Sequence, residues 1–505
     1  MLWFAVAATV LAGSTLVALP SSAAMAAGDR TTAVALGSAP SLPSGSTDLG
    51  STASSTPMRL EVVLQPRDRA GLQAFLREIN DPASQGYHRF LSRGQFGPRF
   101  GASPGTISRV TSTLSSLGLH VGPVRANDLF LPVSTTAGRA VIAFGAPIHR
   151  YRLPSGRIAF ANMDPPHVPA AIAPDLVGIL DLSNVAGPQP LEATAPAIRR
   201  PRSVPTVPST GSTGPTPCAA EQAAAASLST NTYTADQLAH AYGFDAGAYA
   251  NGHFGAGETV ALYELGSFNG GDIAAYESCY GIATTVNVVP VDGGAQPGSG
   301  SGETTLDVEV IAGLAPAATI DVYQGPIGGS YIDPYTAIAA DDRAQVVSTS
   351  WGACEADLGI AAIQAEELDF LQMAAQGQSM VAAAGDAGSA ACYQLAPTDT
   401  GLSVQDPASD PYVTGVGGTD LSAIGPPTTE SAWNRSTPRF GGGGGGISEF
   451  WQMPSWQQVL GINTYSSGVP CNAPSGGYCR EVPDVAAAAD PANGYAVYAN
   501  GSGST

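Results

Sequence analysis

The sequence predicts an α/β protein in two units: a small α+β module, then a larger domain built on a mostly parallel sheet with helices on both faces. Three observations carry this. In the second half, strand-like apolar runs alternate with helix-length segments, a pattern that calls for crossover helices and hence parallel strands. Charge is divided: from Pro57 to Arg200 there are 15 Arg against 9 Asp and Glu (+6), and from Cys218 to Thr505 there are 4 Arg against 30 acids (−26). All six cysteines (Cys218, Cys279, Cys354, Cys392, Cys471 and Cys479) lie in the acidic part. An even number in an exported chain points to three disulfides, with Cys471 and Cys479 close enough to staple one loop.

Taken in order, residues 1–27 read as a secretory signal peptide. Met1 to Leu19 is apolar, and Ala24-Met25-Ala26 offers a small-residue cleavage site. No basic residue precedes the apolar run, so an uncleaved membrane anchor is the competing reading. Residues 28–56 are rich in Ser, Thr, Gly and Pro and read as a disordered lead. The module spans 57–186. Leu60 to Leu64 alternates like a strand, and Arg69 to Ile79 and Thr106 to Leu117 have helical spacing. Leu129 to Val133, Ala140 to Phe144 and Arg150 to Leu153 read as short strands. A Pro/Arg/Thr-rich linker covers 187–217.

The acidic domain covers 218–505. Its strands are expected at Thr259 to Glu264, Val286 to Val291, Thr319 to Tyr323, Gln345 to Ser350 and Met380 to Ala384. Helices are expected between them at Gly271 to Tyr280, Glu303 to Ala312, Pro334 to Asp342 and Ala356 to Gln376. In such sheets chemistry collects at the carboxyl ends of the strands.

Composition removes several functions. Hydrophobic residues make up 44% of the 505, which rules out disorder throughout. Every one of the 21 basic residues is arginine, so lysine-dependent phosphate loops, Schiff bases and Ser-Lys dyads are excluded. A net charge of −20 argues against nucleic acid as a partner. There is no C-x-x-C and no H-E-x-x-H. The acidic half holds only His240 and His253, so a Ser-His-Asp triad is poorly supported. A basic module and an acidic domain should attract each other near neutrality, and lose that attraction as carboxyls protonate below about pH 4.

The chemistry concentrates in carboxyls. In Gly302-Glu303-Thr304-Thr305-Leu306-Asp307, a helix would put Glu303 and Asp307 on one face, four residues apart. That spacing costs a helix a few tenths of a kcal/mol, so stability gives no reason for it. Two such carboxyls can share a proton and work as a base under acid conditions. A solvated acidic helix face accounts for the pair equally well in isolation. Glu264 ends one predicted strand, Asp386 follows another, and Ser350-Trp351-Gly352 follows a third, so all fall on the reactive edge. Gly441 to Gly446, six glycines, would let a peptide backbone approach closely or would form a flexible surface loop.

The strings Val260 to Glu264, Gly302 to Gly313, Ser348 to Gly352, Ala382 to Ser389, Pro411 to Thr419, Trp433-Asn434 and Arg480 to Asp490 together resemble the sedolisin–kumamolisin family of serine-carboxyl peptidases. Tyr87 to Phe90 and the 57–186 module resemble that family's activation domain. The resemblance implies a subtilisin-like domain behind a ferredoxin-like prosegment that acts as an intramolecular inhibitor. The whole would be a secreted monomer that cuts protein or peptide substrates. It makes Glu303 the general base, Asp307 its partner and Asp386 the oxyanion acid. Glu264 and Trp351 extend the carboxyl network, and Ser350, Trp351 and Gly352 pair with substrate backbone. The family's nucleophile lies in Gly-Thr-Ser-x-x-x-Pro, which occurs nowhere in the 505 residues. Its calcium ligands lie further on and are likewise not expected in this chain. The sequence therefore reads as C-terminally truncated and inactive as written. The alternative is a catalytically dead paralogue or fragment acting as a secreted binding protein.

Overall fold

The computed structural model describes residues 33–191, 214–219, 221–222, 225, 232–298, 300–425, 428–435, 441–458, 466–499 and 502–504. The signal-peptide reading of 1–27 and most of the linker lie outside the described residues.

The front module is α+β. Its main sheet has four strands in the order β4-β5-β3-β9, all antiparallel: β3 (Pro57–Leu64), β4 (His120–Val121), β5 (Phe130–Thr136) and β9 (Leu176–Leu180). Helices Arg69–Asn80 and Pro104–Ser116 begin at Asp68 and Ser103, whose side chains accept from the amides of Gly71 and Thr106. Two local expectations fail. Ala140 to Phe144 is not a strand but the end of a helix, Ala137–Phe144. The Thr136 hydroxyl caps its start, Gly145 closes it in the left-handed region at φ 65°, and Ala137, Ala140 and Phe144 form its buried stripe.

The lead is also not disordered over its described part. β1 (Ala33–Ala35) pairs with β8 (His167–Pro169), and β2 (Thr47–Ser51) pairs with β6 (Ile148–Arg152), which pairs in turn with β7 (Ile158–Asn162). Such edge strands are held by backbone hydrogen bonds and bury almost no side chain, so composition does not announce them.

The acidic domain carries an eight-stranded sheet. β12 (Thr285–Pro290), β13 (Thr319–Gln324), β11 (Thr259–Glu264), β14 (Val346–Thr349), β16 (Ser379–Ala383) and β18 (Val413–Ala423) follow one another in parallel register. β18 also pairs in parallel with β22 (Val485–Ala488), and antiparallel with β19 (Thr429–Ala432). This is the mostly parallel subtilisin-like sheet, with helices Gly270–Tyr280, Ser301–Leu314, Asp333–Asp341 and Ile360–Gln376 supplied by the crossovers. β15 (Trp351–Cys354) leaves the sheet and lies between β10 (Gln189–Pro190) and β17 (Gln405–Asp406). A small antiparallel ribbon is formed by β20 (Gly446–Gln452) with β21 (Cys479–Val482). The six cysteines form three disulfides: Cys218–Cys279, Cys354–Cys392 and Cys471–Cys479.

The two units meet through an apolar core as well as through charge. Leu72, Phe75, Leu76 and Ile79 of the module cluster with Ala365, Leu368 and Leu371 of helix Ile360–Gln376. Around them Arg69 pairs with Glu367, and Arg93 Nη2 reaches Asp341 at 2.9 Å. Arg125 Nη2 reaches both carboxylate oxygens of Asp333, at 2.8 and 2.9 Å. Beside Arg125, Glu61 is only 3% exposed. Burial pushes its carboxyl up to about 7, and burial together with Asp292 pushes Asp333 up to about 8. The joint is therefore not a simple pairing of opposite charges.

Candidate active site

The parallel sheet delivers the candidate residues to one edge. Glu264 is the last residue of β11, Ser350 follows β14, and Asp386 lies in the turn after β16. Helix Ser301–Leu314 crosses beside β11 and carries Glu303 and Asp307, one turn apart.

Glu264 is fully buried. One of its oxygens accepts from the indole Nε1 of Trp351 at 2.8 Å and from the Thr304 hydroxyl at 2.8 Å. Trp351 is itself 1% exposed. Its ring fits because Gly300, at φ 84°, has no β-carbon to collide with it. Asp307 Oδ1 accepts from the Ser350 hydroxyl at 2.9 Å. The charge of Asp307 bears on Glu264, which disfavours both buried carboxyls being ionised together. Burial raises Glu264 well above the usual carboxyl range, and the charge of Asp307 adds to it, against the Trp351 and Thr304 bonds. Burial likewise lifts Asp307 to about 6, opposed first by its bond to Ser350. Asp307 as a residue is only half-buried, but its Oδ2 is out of contact with solvent, which is why desolvation dominates. Glu303, four residues earlier, is 2% exposed. A solvated acidic face is thus excluded for this helix.

Of the residues picked out in the sequence, Trp351 bonds to Glu264 and Ser350 bonds to Asp307, two adjoining pairs of one buried cluster, and Glu303 shares the helix of Asp307. Thr304 was missed. A threonine in a helix carries no signal until Glu264, forty positions away, is placed against it. Asp386 lies two strands along the same edge, and its backbone is held by the glycine run. Gly442 N–H donates to the Asp386 carbonyl at 2.9 Å, and Gly444 N–H donates to the Gly385 carbonyl at 2.6 Å. A β-carbon on Gly444 would overlap the Ala384 carbonyl. The close backbone approach expected of these glycines is made to the chain's own Ala384–Asp386 turn. His240 pairs with Asp245 at 2.8 Å, away from this edge.

The strand leading out of the site is already paired. Gln189 lies opposite Gly352 and Pro190 opposite Trp351, antiparallel. Leu191 N–H donates to the Ser350 carbonyl at 2.9 Å. Ser350 therefore touches Asp307 through its hydroxyl and the linker through its carbonyl.

The resemblance implies calcium. Among the described residues, the group of possible ligands close enough to hold an ion is Cys354, Asp357 and Cys392. The two cysteines are joined as a disulfide, leaving one carboxylate where calcium takes six to eight oxygens. No helix among the described residues is long and apolar enough to cross a membrane.

A cluster of buried carboxyls at the carboxyl edge of a subtilisin-like sheet, behind an α+β module, points to a class: a peptidase domain with its activation domain attached. Comparison with known proteins agrees. Residues 44–185 match the Pro-kumamolisin activation domain and residues 252–503 match the Subtilase family. Kumamolisin of Bacillus sp. (strain MN-32) is 31% identical over 425 residues, covering 81% of this chain and 70% of that protein. Sedolisin of Pseudomonas sp. (strain 101) is 28% identical over 464 residues, covering 86% and 71%. The solved structure of Pseudomonas sedolisin complexed with two molecules of pseudo-iodotyrostatin aligns with 55% of this chain and 76% of its own, at 26% identity and a TM-score of 0.46. The chain belongs to the sedolisin–kumamolisin family of serine-carboxyl peptidases.

Proposed function

We propose that the chain is the precursor form of a secreted, acid-acting endopeptidase that cuts protein or peptide substrates as a monomer. Residues 57–186 are its inhibitory prosegment, 187–217 the linker cut on maturation and 218–505 the peptidase domain. One juxtaposition carries the reading: Ser350 holds Asp307 by its hydroxyl and the linker backbone by its carbonyl. A segment of the chain itself thus lies along the strand beside the carboxyls, where a substrate would lie.

In this reading Glu303 takes the proton of a serine as that oxygen attacks the peptide carbonyl, and then returns it to the leaving amine. Asp307 orients Glu303 through the helix they share, and Glu264 with Trp351 and Thr304 fixes Asp307. Asp386, protonated, donates to the oxyanion of the tetrahedral intermediate. A carboxylic donor and a carboxylate base coexist only on the acid side of neutrality, which makes the activity acidic. Gly-Thr-Ser-x-x-x-Pro is absent from the 505 residues, so the serine is the element this reading still requires. The second reading is a catalytically dead secreted binding protein. The genomic sequence after codon 505 separates the two: the motif supports the peptidase, and a stop codon supports the binder or a fragment. In the motif-bearing precursor, Glu303→Gln should abolish self-processing at acid pH; processing at the normal rate would remove Glu303 as the base.

A further inference from the structure

The linker strand also records what the cleft accepts. In the antiparallel pairing of β10 with β15, alternate residues turn their backbone groups toward the partner. Gln189 and Leu191 do so. Pro190, which has no N–H to give, falls on the position between them, where none is needed. A peptide from another molecule could reproduce the same pairing.

The Leu191 side chain is 7% exposed. Its Cδ1 lies 3.1 Å from the point where a β-carbon on Gly352 would stand. Gly352 is not in the left-handed region, so its backbone conformation does not demand glycine; the missing side chain makes room for the Asp406 carbonyl, 2.9 Å from that point, and for the leucine beside it. Gln405 Oε1 lies 3.6 Å from that same point. Gln405 is 1% exposed, and its Nε2 donates to Gln394 Oε1 at 2.7 Å. Its Cγ stands 2.7 Å from the position of a β-carbon on Gly385, the residue before Asp386. One buried side chain thus borders both the leucine position and the turn that carries Asp386. Its Oε1 has no hydrogen-bond donor. A carboxylate placed beside that acceptor would be repelled, whereas an aliphatic side chain of leucine size fills the space without competing for it.

We propose that Gly352 and Gln405 define a subsite for a leucine-sized aliphatic side chain, with Leu191 as the chain's own occupant. This rests on the peptidase reading and names its substrate class: peptides that present such a residue to the Ser350–Gly352 strand. In hydrolysis water's hydroxyl goes to the acyl carbon of the bond cut and a hydrogen goes to the departing amine.

Binding tests this without the chemical step. Substituting Gln189→Gly, Pro190→Gly and Leu191→Gly together in the full chain weakens the resident strand and opens the cleft. Acetyl-Gln-Pro-Leu-amide, acetyl-Gln-Pro-Ala-amide and acetyl-Gln-Pro-Glu-amide are then titrated against tryptophan fluorescence and hydrogen-exchange protection of the Gly352 amide. The leucine peptide should bind about tenfold or more tightly than either of the others. Adding Gly352→Val should abolish that preference, by losing the leucine peptide and sparing the alanine one. Because Gly352→Val also crowds the Asp406 carbonyl, the three-peptide series decides the matter by itself. Equal affinity for all three overturns the subsite and leaves the cleft intact. Binding of none, in a chain with unaltered circular dichroism, overturns the subsite and the peptidase reading together.

Discussion

Glu61→Gln tests the joint between the two units most directly. Glu61 sits on β3 at 3% exposure, with Arg125 Nη2 3.4 Å from its Oε2. Burial outweighs the pull of Arg125, Asp181 and Asp292 add to it, and the carboxyl titrates near 7 instead of its ordinary 4.5. The folded chain therefore holds a proton that the unfolded chain gives up. The stabilisation is complete below the unfolded value and is lost as pH rises through the folded one. At about 1.4 kcal/mol per pH unit, this one group removes roughly 3 kcal/mol between pH 4.5 and pH 8. Glutamine keeps the shape of the protonated acid and cannot ionise. Urea unfolding followed by circular dichroism at pH 4.5, 6 and 8 should show wild-type stability falling across the window. The Glu61→Gln chain should lose about 3 kcal/mol less. Equal pH dependence in the two chains, or wild-type stability that rises with pH, would refute the reasoning. Asp333, raised to about 8, acts with the same sign and extends the fall to higher pH.

Ser350→Ala removes the hydroxyl that lowers Asp307, so the Asp307 carboxyl should titrate above its present value of about 6; carboxyl infrared difference spectra would read it, and an unchanged or lower value counts against the network. Trp351→Phe deletes the Nε1 donor to the buried Glu264 and should cost about 1–3 kcal/mol in urea unfolding; a loss below a few tenths would mean Glu264 does not depend on it. Gly444→Ala drives a β-carbon into the Ala384 carbonyl and should destabilise by several kcal/mol or prevent folding. Gly425→Ala, where a β-carbon meets nothing within 4 Å, is the control and should be nearly neutral.

Local signals were legible in the sequence; partnerships across distance were not. The alternation of Thr259–Glu264, Ser301–Leu314 and Thr319–Gln324 fixes a parallel crossover, because each element declares its own period. Glu303 and Asp307 were readable for the same reason, since the spacing lies within one helix. Ala140 to Phe144 misled because a run of apolar and β-branched residues suits a strand. The Thr136 cap and the Gly145 stop, both local, outweigh that preference. β10 was invisible. Two residues of a proline-rich linker become a strand only because β15 offers an unpaired edge, more than 160 positions away. The glycine run was ambiguous for a related reason: its contacts with Gly385 and Asp386 come from chain folding, and six glycines carry no pattern that names a partner.

The charge division invited the idea that acid loosens the module by neutralising carboxyls. The buried groups point the other way. Glu61 near 7 and Asp333 near 8 take up protons when the module is docked, so acidification strengthens their part of the joint. Only outer pairs such as Arg93–Asp341, where the arginine side chain is 62% exposed, weaken as the carboxyl protonates, and exposed pairs of that kind contribute little. The apolar contact of Leu72, Phe75 and Leu76 with helix Ile360–Gln376 does not titrate at all. On the peptidase reading, acid therefore acts first on the carboxyl network around Asp307. Release of the module follows from loss of the covalent connection through the linker, which ends its high local concentration at the joint.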